Sequence, residues 1–130
     1  QDLDGQHPCE RASAGKTLWI VDDMIDTGGS ACTLVRELAA RGPASINIAV
    51  VHPVFSPPAV DRLAELCAQG LLKDILVTDS IPCPPDALSR LPCLRVVSSV
   101  SLAAEVVHRL SAELPMSPLL APFDVEGSLD

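Results

Sequence analysis

The fold is decided by residues 17–30, which read TLWIVDDMIDTGGS. The run 17–21 is short, apolar and partly β-branched, which predicts a strand buried on both faces with Trp19 in the core. Two adjacent aspartates end this run, and a loop with two glycines follows them. Residues 31–40 then carry apolar side chains at helical spacing and are stopped by a Gly-Pro pair. The stretch therefore predicts a strand, a loop and a helix, in that order.

The same alternation continues along the chain. Further strands are predicted at residues 45–52, 74–79 and 94–98, and further helices between Pro57 and Gly70 and over about 101–114. The helical residues expected to face the core are Ala31, Cys32, Leu34, Val35, Leu38, Val60, Leu63, Ala64, Cys67, Leu102, Val106 and Leu110. Strands that alternate with helices predict an α/β fold, in which helices flank a parallel sheet on both sides.

We expect one domain, because 130 residues suffice for a single core. The predicted divisions are an irregular leader over residues 1–14, the α/β domain over 15–114 and a Pro-rich tail over 115–130. The tail is expected to be extended and packed on a surface, since its prolines disfavour a helix. A first residue other than Met predicts a cut or incomplete chain.

Composition excludes several classes of function. A net charge of −8 and a pI near 4.6 argue against a nucleic-acid-binding protein, which needs a basic face. The sequence has neither a long apolar run nor a signal peptide, so we expect a cytoplasmic protein without a membrane partner. Its five cysteines form no metal-binding pattern, and free thiols are expected.

The loop after the first strand carries the candidate chemistry. Ligands of parallel sheets bind beyond the carboxyl ends of the strands, where a Gly-rich turn and a helix N-terminus offer N–H groups to an anion. The aspartate pair would repel a phosphate, but it can accept hydrogen bonds from sugar hydroxyls and attract Mg²⁺. A sugar phosphate is therefore the predicted ligand, and its predicted binding residues are Asp22, Asp23, Asp26, Thr27, Gly28, Gly29 and Ser30.

A structural explanation of the same residues competes with this one. The acidic pair can simply end a buried strand, while Thr27 or Ser30 caps the helix. Adjacent carboxylates directly after an apolar strand favour the binding explanation. His52 follows the second predicted strand, where a structural hydrogen bond is the more common role, and it is not included among the predicted site residues.

Residues 17–29 resemble the phosphoribosyl-diphosphate signature of type I phosphoribosyltransferases. A narrower resemblance is to ribose-phosphate pyrophosphokinases, and it rests on three motifs in the same order. These motifs are VDDMIDTGGS at residues 21–30, VHPVFS at 51–56 and VTDSIP at 77–82. The resemblance covers about residues 15–123 and implies a type I phosphoribosyltransferase-like domain from the C-terminal half of such an enzyme.

The resemblance also implies a reaction, in which the diphosphate group of ATP is transferred to ribose 5-phosphate to make phosphoribosyl diphosphate for nucleotide synthesis. By it, Asp22 and Asp23 hold the ribose hydroxyls, with Mg²⁺ as the cofactor near them, and residues 26–30 bind the 5-phosphate. ATP would bind through residues absent from this sequence. No catalytic residue is assigned, the isolated chain is expected to be inactive, and a homo-oligomer is expected.

Two alternatives remain open from sequence. One is another phosphoribosyltransferase, which would use the same loop for phosphoribosyl diphosphate. The other is a non-catalytic regulator, either associated with the synthetase or sensing phosphoribosyl diphosphate. The chain lacks a paired Lys/Arg loop upstream of Thr17, and a regulator would also lack this loop.

Overall fold

A computed structural model of the chain describes residues 13–120. Most of the predicted leader and the end of the predicted tail lie outside the described residues, and the predicted domain limits remain predictions. In chain order the elements are β1 (Thr17–Ile25), α1 (Gly29–Ala39), β2 (Ser45–Pro53), α2 (Ala59–Ala68), β3 (Asp74–Thr78), α3 (Ala87–Arg90), β4 (Leu94–Val97), α4 (Val100–Ser111) and a 3₁₀ turn (Ser117–Leu120). The predicted alternation of strands and helices is confirmed.

The four strands form one parallel sheet in the order β1-β2-β3-β4. Each strand pairs with the next one along the chain, so every crossover steps in the same direction. Right-handed crossovers then put the connecting helices α1 and α2 on the same face of the sheet. The register aligns Ile48 of β2 with Ile20 on one side and with Ile75 on the other, which places apolar side chains in rows across the sheet.

The core lies between the sheet and these helices. We call this side of the sheet the closed face, and its central residues are Ile48, Val50, Ile75 and Val77, all of which are buried. The helices supply the opposing layer, with Val35 from α1 and Ala59, Val60, Leu63 and Leu66 from α2. The predicted core residues of α2 are thus largely confirmed, whereas Leu34 of α1 is exposed because it lies on the outer side of its helix.

The other side of the sheet, which we call the open face, contradicts the prediction of a strand buried on both sides. Its exposed side chains are Trp19 and Val21 of β1, Val51 of β2 and Val97 of β4. Trp19 is 48% exposed and Val21 is 78% exposed, so the prediction that Trp19 belongs to the core is wrong. An apolar run indicates a strand, but it does not say whether anything covers each face of that strand.

The cysteines also differ from the expected set of free thiols. Cys67, near the end of α2, is joined by a disulfide to Cys93, which precedes β4. Cys32 and Cys83 carry free thiols. Cys32 is buried in α1 as expected. The pairing was not visible in the sequence because 26 residues separate the two cysteines and only the fold brings them together.

The chain divides at Ser98 and Ser99 into two compact units, and the second begins with α4. No residue of α4 is buried, and Leu102 and Leu110 are exposed, so their predicted inward orientation is wrong. An extended and packed tail was predicted, but Ser117–Leu120 forms a 3₁₀ turn and Leu120 is exposed. Proline does not prevent this turn, because its fixed φ is compatible with the turn geometry.

Within residues 13–120, no helix has both the length and the apolar character that crossing a membrane requires.

Candidate sugar-phosphate site

Strand β1 carries the acidic pair into the site. The sequence predicted a strand that stops before Asp22, but β1 continues to Ile25, since Asp22, Met24 and Ile25 still pair with residues of β2. Asp22 and Asp23 are therefore held on a strand rather than on a loop, and both are exposed. A carboxylate oxygen of Asp22 accepts a 2.8 Å hydrogen bond from the backbone N–H of Asp23, which restricts the Asp22 side chain.

The loop after β1 turns sharply at Gly28. Its φ of 74° and ψ of 4° lie in the left-handed region, which residues with a Cβ rarely adopt. The turn closes a cleft of about 350 Å³ beside the end of β1. The residues lining this cleft are Asp22, Asp23, Met24, Ile25, Asp26, Thr27, Gly28, Gly29, Ser30 and Ala31. All seven residues predicted to bind the ligand are thus brought together, although their role in binding stays a prediction.

Helix α1 begins in this cleft without a side-chain cap. Gly28 occupies the capping position, no side chain there accepts a hydrogen bond from the first N–H groups, and the first turn has no acidic residue. The structure therefore contradicts the alternative in which Thr27 or Ser30 caps the helix. Uncapped N–H groups and the positive end of the helix dipole together favour an anion at this point.

Helix α2 supports the loop from behind, which the sequence did not reveal. The guanidinium Nη1 of Arg62 donates a 2.8 Å hydrogen bond to the carbonyl oxygen of Thr27. A Cβ on Gly28 would lie 3.5 Å from the Cα of Ala59, so the first residue of α2 packs directly against the turn. The sequence offered one signal of this contact, an arginine on the helix that follows the second strand. Its partner, Thr27, lies 35 positions away along the chain, so the pairing could not be inferred from the sequence.

His52 belongs to a neighbouring hydrogen-bond network. Its Nδ1 is 2.9 Å from the hydroxyl oxygen of Ser80, and Ser80 also donates to the carbonyl oxygen of Val51 at 2.8 Å. Thr78 donates to the same carbonyl oxygen at 2.7 Å. These bonds tie the carboxyl ends of β2 and β3 together. His52 does not line the cleft.

The thiol of Cys32 lies in the first turn of α1. Burial raises its pKa, and this effect outweighs the opposing influence of the positive charges of Arg36 and Arg62. The thiol is therefore neutral at physiological pH and adds no negative charge to the loop.

Among the side chains described, no group of three or more His, Cys, Asp or Glu residues is arranged to hold a metal ion. Asp22 and Asp23 remain as adjacent carboxylates on one strand. Oxygen ligands of this kind suit Mg²⁺, which commonly keeps water and substrate oxygens as its other ligands. The donor set is thus compatible with a magnesium ion that is shared with a ligand.

Comparison with known proteins identifies relatives of this site and fold. The family model of the phosphoribosyl transferase domain matches residues 6–66. The ribose-phosphate pyrophosphokinase of Synechococcus elongatus is 39% identical over 105 residues, or 81% of this chain, and that of Prochlorococcus marinus is 40% identical over 106 residues, or 82%. This chain is similar to part of the ribose-phosphate pyrophosphokinases. The resemblance inferred from the three motifs is confirmed.

A solved structure agrees with the sequence relatives. The crystal structure of phosphoribosylpyrophosphate synthetase from Mycobacterium smegmatis superposes with a TM-score of 0.69 and 36% identity over 77% of this chain. The match covers 32% of that protein, and the chain spans about 30% of the length of the two curated pyrophosphokinases. The type I phosphoribosyltransferase-like fold predicted for this chain is confirmed.

Proposed function

We propose that this chain is the ribose-5-phosphate-binding part of a ribose-phosphate diphosphokinase, which transfers diphosphate from ATP to ribose 5-phosphate and makes phosphoribosyl diphosphate. One observation carries the proposal: an uncapped helix N-terminus and a pair of carboxylates line the same cleft. The N–H groups suit a phosphate, whereas the carboxylates would repel it and suit hydroxyl donors. A ligand that satisfies both has a phosphate at one end and hydroxyls at the other.

The proposed roles follow from position. The turn of Thr27, Gly28, Gly29 and Ser30 binds the 5-phosphate through backbone N–H groups and two hydroxyls. Asp22 and Asp23 accept hydrogen bonds from the vicinal ribose hydroxyls. Asp26 is exposed and contributes on the sugar side of the loop, since a carboxylate facing the phosphate would weaken binding.

Mg²⁺ is proposed to bind through oxygens of Asp22 and Asp23 together with oxygens of the ligand. When bound, it supplies positive charge that offsets the charge of the diphosphate group. ATP and the groups that stabilise the transition state are proposed to bind in other parts of the longer protein. The chain alone is therefore expected to bind ribose 5-phosphate without turning it over, and the active protein is expected to be a cytoplasmic homo-oligomer.

A non-catalytic regulatory function is favoured by one observation. Among the residues that the structure describes, the cleft is lined by three carboxylates and by no lysine or arginine, whereas diphosphate transfer requires positive charge around the transferred group. A regulator that binds phosphoribosyl diphosphate needs only the loop and the acidic pair. The full-length sequence separates the two functions by the presence or absence of a basic catalytic loop.

Calorimetric titration of the 130-residue chain with ribose 5-phosphate, with and without Mg²⁺, tests the binding proposal. Asp22→Asn and Gly28→Val should each weaken binding by about tenfold or more, because the first removes a charged hydrogen-bond acceptor and the second fills the turn. Gly42→Val is the matched control, since Gly42 also has a positive φ of 67° but does not line the cleft.

Absence of binding by the folded wild-type chain would contradict the proposal. An equal loss of binding in Gly42→Val would show that backbone damage, rather than the loop, controls affinity. Titration with phosphoribosyl diphosphate in the same experiment distinguishes the two candidate functions, because a sensor should prefer it to ribose 5-phosphate.

A further inference from the structure

Arg62 of α2 contacts the loop but does not line the cleft. It lies in the first turn of α2, and its Nη1 donates to the carbonyl oxygen of Thr27 at 2.8 Å. The same nitrogen is 3.5 Å from the position that a Cβ on Gly29 would occupy. The guanidinium group therefore lies against the predicted phosphate-binding turn without lining the cleft.

This hydrogen bond fixes the orientation of the peptide between Thr27 and Gly28. In a trans peptide the C=O and the N–H point in opposite directions. With the Thr27 carbonyl turned towards Arg62, the N–H of Gly28 is turned away from α2. If this peptide flipped, its carbonyl oxygen would leave Arg62 and place negative partial charge at the cleft, where an anion is expected to bind.

Arg62 also differs from other arginines in its charge environment. Ion pairs with carboxylates hold Arg36, Arg90, Arg95 and Arg109. Within the described part of the chain, no carboxylate lies within ion-pair distance of Arg62. The hydrogen bond to the Thr27 carbonyl oxygen, rather than an ion pair, therefore orients its guanidinium group.

We propose that Arg62 is a positioning residue for the phosphate loop, which holds the Thr27 carbonyl away from the cleft and adds positive charge behind the bound phosphate. The inference rests on the proposed function, because it assigns to this loop a phosphate ligand. It adds to the site a residue from outside the predicted motif, and it means that α2 contributes a side chain that orients the loop. Arg62 does not touch the ligand and is not a catalytic residue.

The test compares Arg62→Met with Arg62→Lys in the 130-residue chain. Methionine keeps much of the apolar stem and removes the donor and the charge, whereas lysine retains both. We expect Arg62→Met to weaken ribose 5-phosphate binding about tenfold and Arg62→Lys to stay within about threefold of wild type. ³¹P NMR should show a higher pKa of the bound phosphate in Arg62→Met, because less positive charge favours the protonated form.

Arg36→Met is the matched control. The guanidinium group of Arg36, on α1, donates hydrogen bonds to Glu65 of α2 at 3.2 Å and to Gln69 at 3.1 Å. Arg36 thus contacts the α2 region, but no hydrogen bond among the described residues joins it to the loop. If Arg36→Met weakens binding as much as Arg62→Met, the effect comes from the packing of α2, and the inference is wrong. Equal affinities for Arg62→Met and Arg62→Lys would also overturn it, since packing alone would then account for the role of Arg62.

A ligand-independent measurement keeps this inference separate from the proposed function. The ¹³C chemical shift of the Thr27 carbonyl should differ from wild type in Arg62→Met but not in Arg36→Met, because Arg62 donates a hydrogen bond to this carbonyl oxygen. If the wild-type chain fails to bind ribose 5-phosphate, the proposed function fails, and this chemical shift alone decides whether Arg62 holds the loop peptide. An unchanged shift in Arg62→Met would overturn the inference.

Discussion

The two faces of the sheet are built from similar residues but have different surroundings. On the closed face, Ile48 and Val77 are 1% and 2% exposed, whereas Val51 and Val97 on the open face are 46% and 54% exposed. Residue type therefore does not determine burial in this domain. The difference comes from α1 and α2, which pack on one face and also support the phosphate loop, so fold stability and loop geometry depend on the same layer.

The largest expected effect is a difference between two substitutions in β2. Ile48→Ala should lower the free energy of unfolding by about 2 to 5 kcal/mol, because it leaves a cavity between the sheet and the helices. Val51→Ala in the same strand should cost less than about 1 kcal/mol, since its side chain is already half exposed. Urea denaturation of both variants measures the difference. Equal losses would mean that the open face is covered in solution.

The disulfide belongs to the closed side, because it joins the end of α2 to the start of β4. Removing it by Cys67→Ser should cost about 3 kcal/mol, the loop-entropy effect expected for a separation of 26 residues. Thermal unfolding with and without a reductant measures this loss, and reductant should have no further effect on the variant. Cys83→Ser, which alters a free thiol, is the control. Full reactivity of Cys67 and Cys93 with a thiol reagent in the native protein would contradict the pairing.

Gly28 links the closed layer to the site. Gly28→Ala should cost about 1 to 2 kcal/mol of stability, because a side chain is strained at φ 74°. The added methyl group would meet Ala59 at ordinary contact distance, so no clash adds to this cost. Gly42→Ala has a similar φ with open space around it and should lose similar stability while keeping ribose 5-phosphate affinity. A larger loss of stability in Gly28→Ala than in Gly42→Ala would show that the added methyl group clashes with Ala59 of α2.

The sequence predicted the order of the longer strands and helices and seven of the residues that line the cleft, because apolar periodicity and the Gly-rich turn are local signals. It did not predict the end of β1, since the pairing of Asp22 with Val50 depends on a strand elsewhere in the chain. Arg62 and the disulfide were missed for the same reason, because each depends on a contact between distant segments. Burial of Trp19 was predicted wrongly because covering a strand is a property of its neighbours.

The smallest effect is spectroscopic and concerns the open face directly. Trp19 is the single tryptophan of the sequence, so its fluorescence reports on this face alone. With 48% of its surface exposed, it should emit at long wavelength, be readily quenched by acrylamide, and shift little when the chain unfolds. Val51→Lys should leave this emission nearly unchanged, since a charged side chain on an uncovered face stays in water. A short-wavelength emission that Val51→Lys moves to longer wavelength would instead mean that apolar contacts cover the open face in solution, and the two faces would then not differ in exposure.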